Sequence, residues 1–431
     1  MTTSTRRPTI LHIFSGDLWA GADVAIFNLL NQLRLSPEWS LVALALNDGI
    51  LTRRLRGVGI ETHVIPETAT PFGRIWLAAH RLLTGRTMEI IHSHRYKENL
   101  LAVLLAKSLG VKRLVSTLHG LSEPLVRSAV RARATTGLDY LVLRRFFDRV
   151  VAVSTDMKCV LVRVHRFPDS RMEVIHNGVP LHATAPRPAR TSDVLHIGSV
   201  GRMVPVKRFD LFLDVAAHVR MKTDRVRFSL RGDGPLRAEL LAKSKALSLD
   251  DCVEFLPAQP DLLAYYRSLD IYVNTSLHEG LPLSILEAMA CARPVVAAKV
   301  GGIPEIVSHG VEGLLVESSE PQDFARSCMT LVTNRHLRAA MGESAERRVV
   351  AHFGDTQMAE AYRNLYLELS QGPSASASKR VRTDRESLVV APKAADERVR
   401  AAETIPAPPD RAAPGEKLPI ARQPVPAPPR V

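Results

Sequence analysis

The sequence predicts an α/β protein: two doubly wound parallel-sheet domains in tandem, facing across a cleft, with a disordered C-terminal tail. Three observations predict it. Short apolar runs alternate with helical patterns from about residue 9 to residue 370, as parallel strands covered on both faces by helices require. The alternation pauses once, at a stretch with two prolines among small and polar residues, and then restarts. From about Gly372 the periodicity ends, and Ala, Pro, Ser, Arg and Lys dominate.

The resulting division is 1–182 for an N-terminal domain, 183–192 for the linker, 193–371 for a second domain with closing helices, and 372–431 for the tail. In the first domain strands are expected at 9–15, 40–46, 61–65, 89–94, 113–119, 149–154 and 171–176, with helices between them such as 23–33 and 96–109. In the second, strands are expected at 194–200, 226–231, 252–256, 270–275, 294–298 and 313–316, and helices at 209–220, 236–246, 262–269 and 283–291. Residues 321–371 read as helices without a place in the packing. Ligands of such sheets bind beyond the carboxyl ends of the strands, so the cleft between the domains is the expected site.

Length and composition fit this picture. The 431 residues are 46% hydrophobic, enough for two cores. The longest clean apolar run, residues 100–106, stops at Lys107, far short of the ~20 residues that span a bilayer. Arg6 and Arg7 precede only Ile10 to Phe14, which reads as a buried first strand rather than a signal peptide. Cys159, Cys252, Cys291 and Cys328 have neither metal-ligand nor redox spacing and read as reduced thiols. A cytoplasmic protein is therefore expected, with an option of peripheral attachment to the inner face of the membrane.

Charge is uneven. Residues 1–190 carry 26 basic and 14 acidic side chains, net +12, whereas residues 191–370 carry 20 and 23, net −3. A basic surface confined to one domain makes an anionic membrane, an anionic acceptor and a nucleic acid candidate partners. No nucleic-acid module is recognisable, so that partner is not expected.

Several strand-to-helix turns carry chemistry. In Gly198-Ser199-Val200-Gly201-Arg202, followed by Lys207, a strand ends in small residues that let a ligand reach the backbone. The planar fork of Arg202 and the point charge of Lys207 suit a diphosphate. Glu279-Gly280-Leu281-Pro282-Leu283-Ser284 follows another strand, and Glu287 lies eight residues beyond Glu279 on the next helix. The free N–H groups near Leu283 and Ser284 make an anion site. Glu287, a turn further in, is placed to accept from ribose hydroxyls. Gly232-Asp233-Gly234-Pro235 reads equally as a plain turn and as a nucleotide-contacting loop. Val300-Gly301-Gly302-Ile303-Pro304-Glu305 is a further glycine loop at the same end of the sheet. In the first domain, Gly21 sits in the turn before the first helix, and His92, His94 and His119 end neighbouring strands. A local structural bond is the ordinary role of each histidine.

Taken together and in this order, these pieces resemble the GT-B glycosyltransferases, specifically glycosyltransferase family 4, over about residues 9–370. The carriers are Gly198 to Lys207, Gly232 to Pro235, and Glu279 to Glu287 as the family's E-x7-E element. Val300 to Glu305, His176-Asn177-Gly178-Val179 and Ser116 to Gly120 add to them. The resemblance implies two Rossmann-like domains and retaining, metal-independent transfer of a sugar from a nucleotide-sugar donor to a glycan or lipid-linked acceptor, in cell-surface or exopolysaccharide assembly. It makes Glu279 and His119 the candidate catalytic residues, Glu279 by holding the donor sugar's hydroxyls. Arg202 and Lys207 would hold the diphosphate, the amides of Leu283 and Ser284 would meet phosphate, Glu287 would bind ribose, and Gly21 and His119 would reach the donor from the first domain. No metal or other cofactor is expected, and no Asp-x-Asp motif is visible.

Two positions depart from the family pattern: Ala20-Gly21-Ala22-Asp23 in place of a double glycine with glutamate, and Arg208 where a glycine is common. A basic segment, Arg127, Arg131, Arg133, Arg144, Arg145 and Arg149 interleaved with Leu and Val, reads equally as a membrane-surface helix and as a core helix with a solvated basic face. Two other functions remain open: another GT-B chemistry such as epimerisation or phosphorolysis, and a nucleotide-sugar-binding protein without activity.

Overall fold

A computed structural model describes residues 7–17, 19–120, 129–181 and 193–371 of the chain. The central strands form at runs rich in Val, Ile and Leu and are buried on both faces, whereas the edge strands at Glu61–Val64, Met172–Val174 and Val253–Leu256 are only partly buried. β1 (Thr9–Phe14) is buried at all six positions. Around it lie β2 (Ser40–Ala45), β3 (Glu61–Val64), β4 (Met88–Ser93), β5 (Arg113–Leu118), β6 (Arg149–Ala152) and β7 (Met172–Val174), all parallel, in the order β3-β2-β1-β4-β5-β6-β7. The helices α1 (Gly21–Leu33), α2 (Ile50–Gly57), α3 (Phe72–Leu83), α4 (Tyr96–Leu109), α5 (Ala129–Phe146) and α6 (Thr155–Arg163) connect them. Their ends follow local chemistry. Gly110 ends α4 at φ 73°, a conformation that favours glycine, and the Ser154 hydroxyl accepts from the Met157 amide at the start of α6.

The second sheet repeats the plan with six strands: β8 (Leu195–Val200), β9 (Val226–Arg231), β10 (Val253–Leu256), β11 (Ile271–Asn274), β12 (Val295–Ala298) and β13 (Gly313–Val316), in the order β10-β9-β8-β11-β12-β13. With it go α7 (Phe209–Arg220), α8 (Arg237–Ala246), α9 (Leu263–Ser268), α10 (Leu283–Ala290), α11 (Ile303–Ile306), α12 (Pro321–Thr333) and α13 (Arg335–His352). Strand order reverses between β1 and β4 in one sheet and between β8 and β11 in the other. Those are the switch points at which doubly wound sheets receive ligands.

The chain passes between the halves twice, and the two passages pair. Val179 bridges Gly354 in parallel, with Val179 N–H to the Phe353 carbonyl at 2.9 Å and Asp355 N–H to the Val179 carbonyl at 3.0 Å. A Cβ on Gly178 would lie 2.6 Å from the Gly354 carbonyl oxygen, so the close approach demands glycine. After this return, α14 (Asp355–Gln371) packs on the first sheet, although its sequence follows the second. Met358, Tyr362, Leu365, Tyr366 and Leu369 are buried against Ile10, Leu29, Trp39, Val115 and Val151. Each large side chain so buried contributes ~1.5–3 kcal/mol, which ties the end of the chain to its beginning. Among the described residues no helix is long and apolar enough to cross a membrane.

Candidate functional site

The ends of β8 and β11 form the second half's share of the site. Beyond β8, Gly201 N–H donates to the Arg231 carbonyl at 3.1 Å and Met203 N–H to the Asp233 carbonyl at 2.8 Å. The turn after β9 therefore lies directly on the turn after β8. A Cβ on Gly232 would stand 1.9 Å from the Gly201 carbonyl oxygen, and one on Gly234 2.6 Å from that of Met203. Backbone packing thus accounts for the glycines of that turn. Arg202, carried at the crest, is exposed.

Lys207 ends a short 3-10 turn (Pro205–Lys207), and its Nζ donates to Oε1 of Glu279 at 2.6 Å. The same oxygen accepts from Ser276 Oγ at 2.7 Å and Asn274 Nδ2 at 3.1 Å. Glu279 is 8% exposed. Burial alone would raise its pKa, but the Lys207 charge and these hydrogen bonds outweigh it and hold the carboxyl below the usual range. Its backbone is held too: Gly302 N–H donates to the Glu279 carbonyl, and a Cβ on Gly301 would fall 1.9 Å from that oxygen. The Val300-to-Glu305 loop is therefore the shelf under Glu279.

Helix α10 begins at Leu283, with the amides of Ile285 and Leu286 bonded to the Pro282 carbonyl. The Leu283 and Ser284 N–H groups precede any intrahelical acceptor and carry the positive end of the helix dipole. Leu283 is buried and Ser284 half-buried. The Tyr272 hydroxyl donates to the Val200 carbonyl at the end of β8, at 3.4 Å.

Glu287 sits one turn further along. Its Oε2 accepts from the Tyr266 hydroxyl at 2.7 Å, and burial pushes its pKa up to about 7, the Tyr266 bond opposing. It lines a cavity of about 870 Å³ whose walls come from both halves, with Tyr266 and Arg293 on one side and Trp19, Asn28 and Arg54 on the other. Glu279, Lys207 and Arg202 are not in that wall. Of the two glutamates, only Glu287 lines this cavity.

From the first half come Gly21 and His119. Gly21 opens α1, is exposed, and has no atom within 4 Å of where a Cβ would be. Packing does not demand glycine there. Asp23, two residues on, is buried, and burial raises its carboxyl to about 7 against the pull of Arg95. His119 follows β5, and its Nε2 lies 3.1 Å from His94 Nδ1, while its buried Nδ1 has no partner among the described residues. His12, His92 and His94 bring ligand atoms within 4.8 Å of one another, the one such group among the described residues, but hydrogen bonds already engage them. Burial lowers all four imidazoles, His12 and His119 to about 3, so they are neutral.

Three contacts lock the halves around this site. Glu305 of the second half accepts from the Thr155 and Asp156 amides at the start of α6, both at 2.9 Å, and bonds His176 Nε2 at 3.0 Å. Asn177 Nδ2 donates to the Leu281 carbonyl at 2.9 Å. A Cβ on Gly280 would meet the His119 carbonyl oxygen at 2.8 Å, so the Glu279 loop and the β5 end touch backbone to backbone. Sequence reading missed Glu305 in this role, since its acceptors' partners are main-chain N–H groups far along the chain.

In the basic segment, Arg127 and the side chains of Arg131 and Arg133 lie outside the described residues, as do the linker and the tail. Arg144 donates to the His165 and Tyr140 carbonyls, and Arg149 pairs with Glu368 at 2.8 Å. Leu143 is in the core. Leu138, Leu141 and Arg145 are exposed on α5.

Comparison with known proteins follows this architecture. Residues 19–183 match the family model "Glycosyltransferase Family 4", and residues 194–334 match "Glycosyl transferases group 1". D-inositol 3-phosphate glycosyltransferase of Streptosporangium roseum is 30% identical over 67% of this chain and 72% of its own length. The protein of the same name from Thermobispora bispora is 28% identical over 81% of this chain and 86% of its own. N-acetyl-alpha-D-glucosaminyl L-malate synthase of Bacillus anthracis is 26% identical over 65% and 75%. Among solved structures, Anabaena HepE in complex with UDP and glucose superposes with a TM-score of 0.73 at 21% identity, covering 83% of this chain and 99% of that one.

Proposed function

This chain belongs to the family 4, group 1 glycosyltransferases of the GT-B fold, and we propose that it is a retaining, metal-independent member. It moves a sugar from a nucleotide-sugar donor to an acceptor hydroxyl. The observation that carries the proposal is the buried Lys207–Glu279 pair at the β8/β11 switch point, beside exposed Arg202 and the start of α10. Two cations and a helix dipole can stabilise the departing diphosphate without a divalent ion. Arg202, Lys207 and the Leu283 and Ser284 amides hold the phosphates, Glu287 the ribose, and Glu279 the sugar hydroxyls. Gly21 and His119 complete the donor site from the first half. In the transfer, the acceptor oxygen forms the new bond to the anomeric carbon on the face from which the diphosphate leaves. The bond from that carbon to the phosphate oxygen breaks, and the departing oxygen takes the acceptor's proton.

For the acceptor, the +12 charge of residues 1–190 favours an anion. The names of the relatives include inositol 3-phosphate and L-malate, both small anions. We therefore place a small anionic acceptor beside the glycan or lipid-linked acceptor of cell-surface assembly. If the acceptor is lipid-linked, the exposed Leu138, Leu141 and Arg145 of α5 are the surface that would meet an anionic bilayer.

The test is a thermal-shift panel of nucleotide sugars with and without EDTA, followed by product analysis with inositol phosphate, malate and lipid-linked glycans. A ligand bound only by the folded state raises Tm. We expect one donor to raise Tm equally in EDTA and to lose that effect in Lys207→Ala, and an α-configured product from an α-configured donor. Dependence on added Mg²⁺, or an inverted product, would overturn the proposal. Release of an epimerised or phosphorolysed sugar without acceptor would favour another GT-B chemistry.

A further inference from the structure

The outer faces of α3, α4 and α5 carry cations and apolar side chains together, without an exposed carboxylate. α4 packs between the other two. His80 Nδ1 of α3 meets Ser108 Oγ of α4 at 3.1 Å, and Lys107 Nζ of α4 sits 4.8 Å over the Phe146 ring of α5. On α3 the exposed stripe is Arg74, Leu77, Ala78 and Arg81. On α5 it is Ala134, Leu138, Leu141 and Arg145, again three and four residues apart. Leu77, Leu138, Leu141 and Phe146 are between 37% and 53% exposed. In residues 72–87, 96–112 and 134–147 the only carboxylates are Glu98 and Asp139, and both are buried. The layer therefore offers Arg74, Arg81, Lys107 and Arg145 no counter-charge of its own.

Two ordinary explanations fall short. A basic residue in the last turn of a helix complements its dipole, which covers Arg81, Lys107 and Arg145. Arg74 stands in the first turn of α3, where a cation is unfavourable. Single exposed leucines are common on soluble proteins, but these fall inside the cationic stripes. We infer that this three-helix face is a docking surface for an anionic lipid bilayer. A bilayer satisfies both kinds of side chain: acidic headgroups meet the cations, and the leucines and Phe146 enter the boundary beneath the headgroups. Nucleic-acid phosphates would meet the cations and leave the leucines in water. The +12 charge of residues 1–190 draws the same half toward an anionic surface. The layer covers one face of the first sheet, whereas the cleft opens at the strand ends. Docking therefore leaves the cleft open beside the bilayer, where an acceptor carried in the lipid meets it.

This rests on the bilayer reading of α5 given above and is independent of the donor chemistry. The test uses the full chain with sucrose-loaded vesicles of phosphatidylcholine, alone or mixed with phosphatidylglycerol. We expect the protein to sediment with the mixed vesicles, less so as salt is added, and little with phosphatidylcholine alone. Arg81→Glu/Arg145→Glu should weaken partitioning roughly ten-fold or more, since each change removes an attraction and adds a repulsion. Leu138→Ser/Leu141→Ser should weaken it at low and at high salt. An unchanged Tm, and an unchanged rise of Tm with the nucleotide sugar, show that both variants keep the fold and the donor site. Wild-type protein indifferent to phosphatidylglycerol, or binding unaltered in both variants, would overturn the surface. So would a leucine variant that binds as wild type while the charge variant lets go, since any polyanion, nucleic acid or acidic protein included, would then serve. Vesicle binding by a protein that no nucleotide sugar stabilises would keep the surface and remove the donor reading.

Discussion

Nζ of Lys207 lies 2.6 Å from Oε1 of Glu279, so two side chains expected to grip different parts of a donor are bonded to each other. The pair explains how a nearly enclosed carboxylate stays ionised. It also means that neither residue can be removed alone without leaving the other's chemistry incomplete.

Lys207→Ala leaves the Glu279 charge buried with only Ser276 and Asn274 on the same oxygen. Breaking a buried pair costs ~3–5 kcal/mol. Lys207 is 23% exposed, so a smaller loss of ~2 kcal/mol is expected. Adding Glu279→Gln in that background removes the stranded charge and should recover about half of the loss, without recovering donor binding. The sign with pH follows from the lowered carboxyl of the wild type. Its contribution is complete above the ordinary carboxylate range and fades as pH falls through the lowered folded value. Lys207→Ala removes the cation that holds the value down, so the variant loses less stability on the acid side and its deficit against wild type shrinks as pH falls. Urea titrations of the three proteins at several pH values check both statements. A double variant no more stable than Lys207→Ala would show that the charge is not what the pair neutralises.

Glu287 behaves in the opposite way. Its folded value, near 7, lies above that of an unfolded chain, so stability is highest below the ordinary carboxylate range and declines as pH rises toward 7. Glu287→Gln should therefore raise Tm at pH 8 and leave it nearly unchanged at pH 4. The same variant should weaken donor binding at pH 8, where the ionised wild-type carboxylate accepts from ribose. Tyr266→Phe removes the bond that opposes the rise, so the acid limb of donor affinity should move to higher pH. Calorimetric titration of nucleoside diphosphate between pH 6 and 9 reads that limb directly. A flat profile in wild type would take Glu287 out of the ribose site.

The strands were legible because doubly covered strands are short apolar runs, uninterrupted in β12 and broken only by His12 between Ile10 and Phe14 of β1, and their pattern needs no tertiary partner. Both sheets therefore follow from residues 9–316. The destination of α14 does not. Tyr362, Leu365 and Tyr366 give it an apolar face, but nothing in a helical stripe states which sheet it covers. The site divides the same way. Glu279 and Glu287 could be picked out by the turn and helix that carry them, whereas the histidine chain could not. His12, His92 and His119 come from three strands, each with a satisfactory local explanation, and only the β1-β4-β5 order brings them together.

Glu305 shows what such long-range assembly is worth. It caps α6 across the two halves with two charge-assisted bonds to main-chain N–H groups and a third to His176. Hydrogen bonds to charged groups are worth ~1.5–3 kcal/mol each, and the capped dipole adds to them. Glu305→Ala should cost ~2–3 kcal/mol, allowing for water replacing part of the loss, and Glu305→Gln about half of that. Because these contacts hold its carboxyl below the usual range, the difference from wild type should shrink as pH falls through that range. The variant should also open the halves, read as faster proteolysis near the paired passages at Val179 and Gly354. Unchanged proteolysis together with unchanged stability would show that the cap does not join the halves.

Arg208 adopts φ 48°, ψ 46° between Lys207 and α7, the backbone region that favours glycine. A left-handed conformation costs a side-chain-bearing residue ~1–2 kcal/mol. Thr275 holds it there, its hydroxyl donating to the Lys207 and Arg208 carbonyls at 3.0 and 2.8 Å. The guanidinium offsets a little of the strain through Asp210, 3.1 Å away, a largely solvated pair worth at most ~0.5 kcal/mol. Two substitutions separate these effects. Arg208→Ala keeps the strain and loses the pair, so it should destabilise by ~0.5 kcal/mol. Arg208→Gly loses the pair and the strain, at an entropic cost of ~0.5–1 kcal/mol in the unfolded chain. Glycine should therefore be the more stable of the two by ~0.5–1 kcal/mol, the reverse of their order in a helix. Denaturant midpoints of the two variants, measured at equal slope, decide it. Alanine equal to or above glycine would mean that the turn relaxes, and that the presentation of Lys207 to Glu279 does not depend on this backbone conformation.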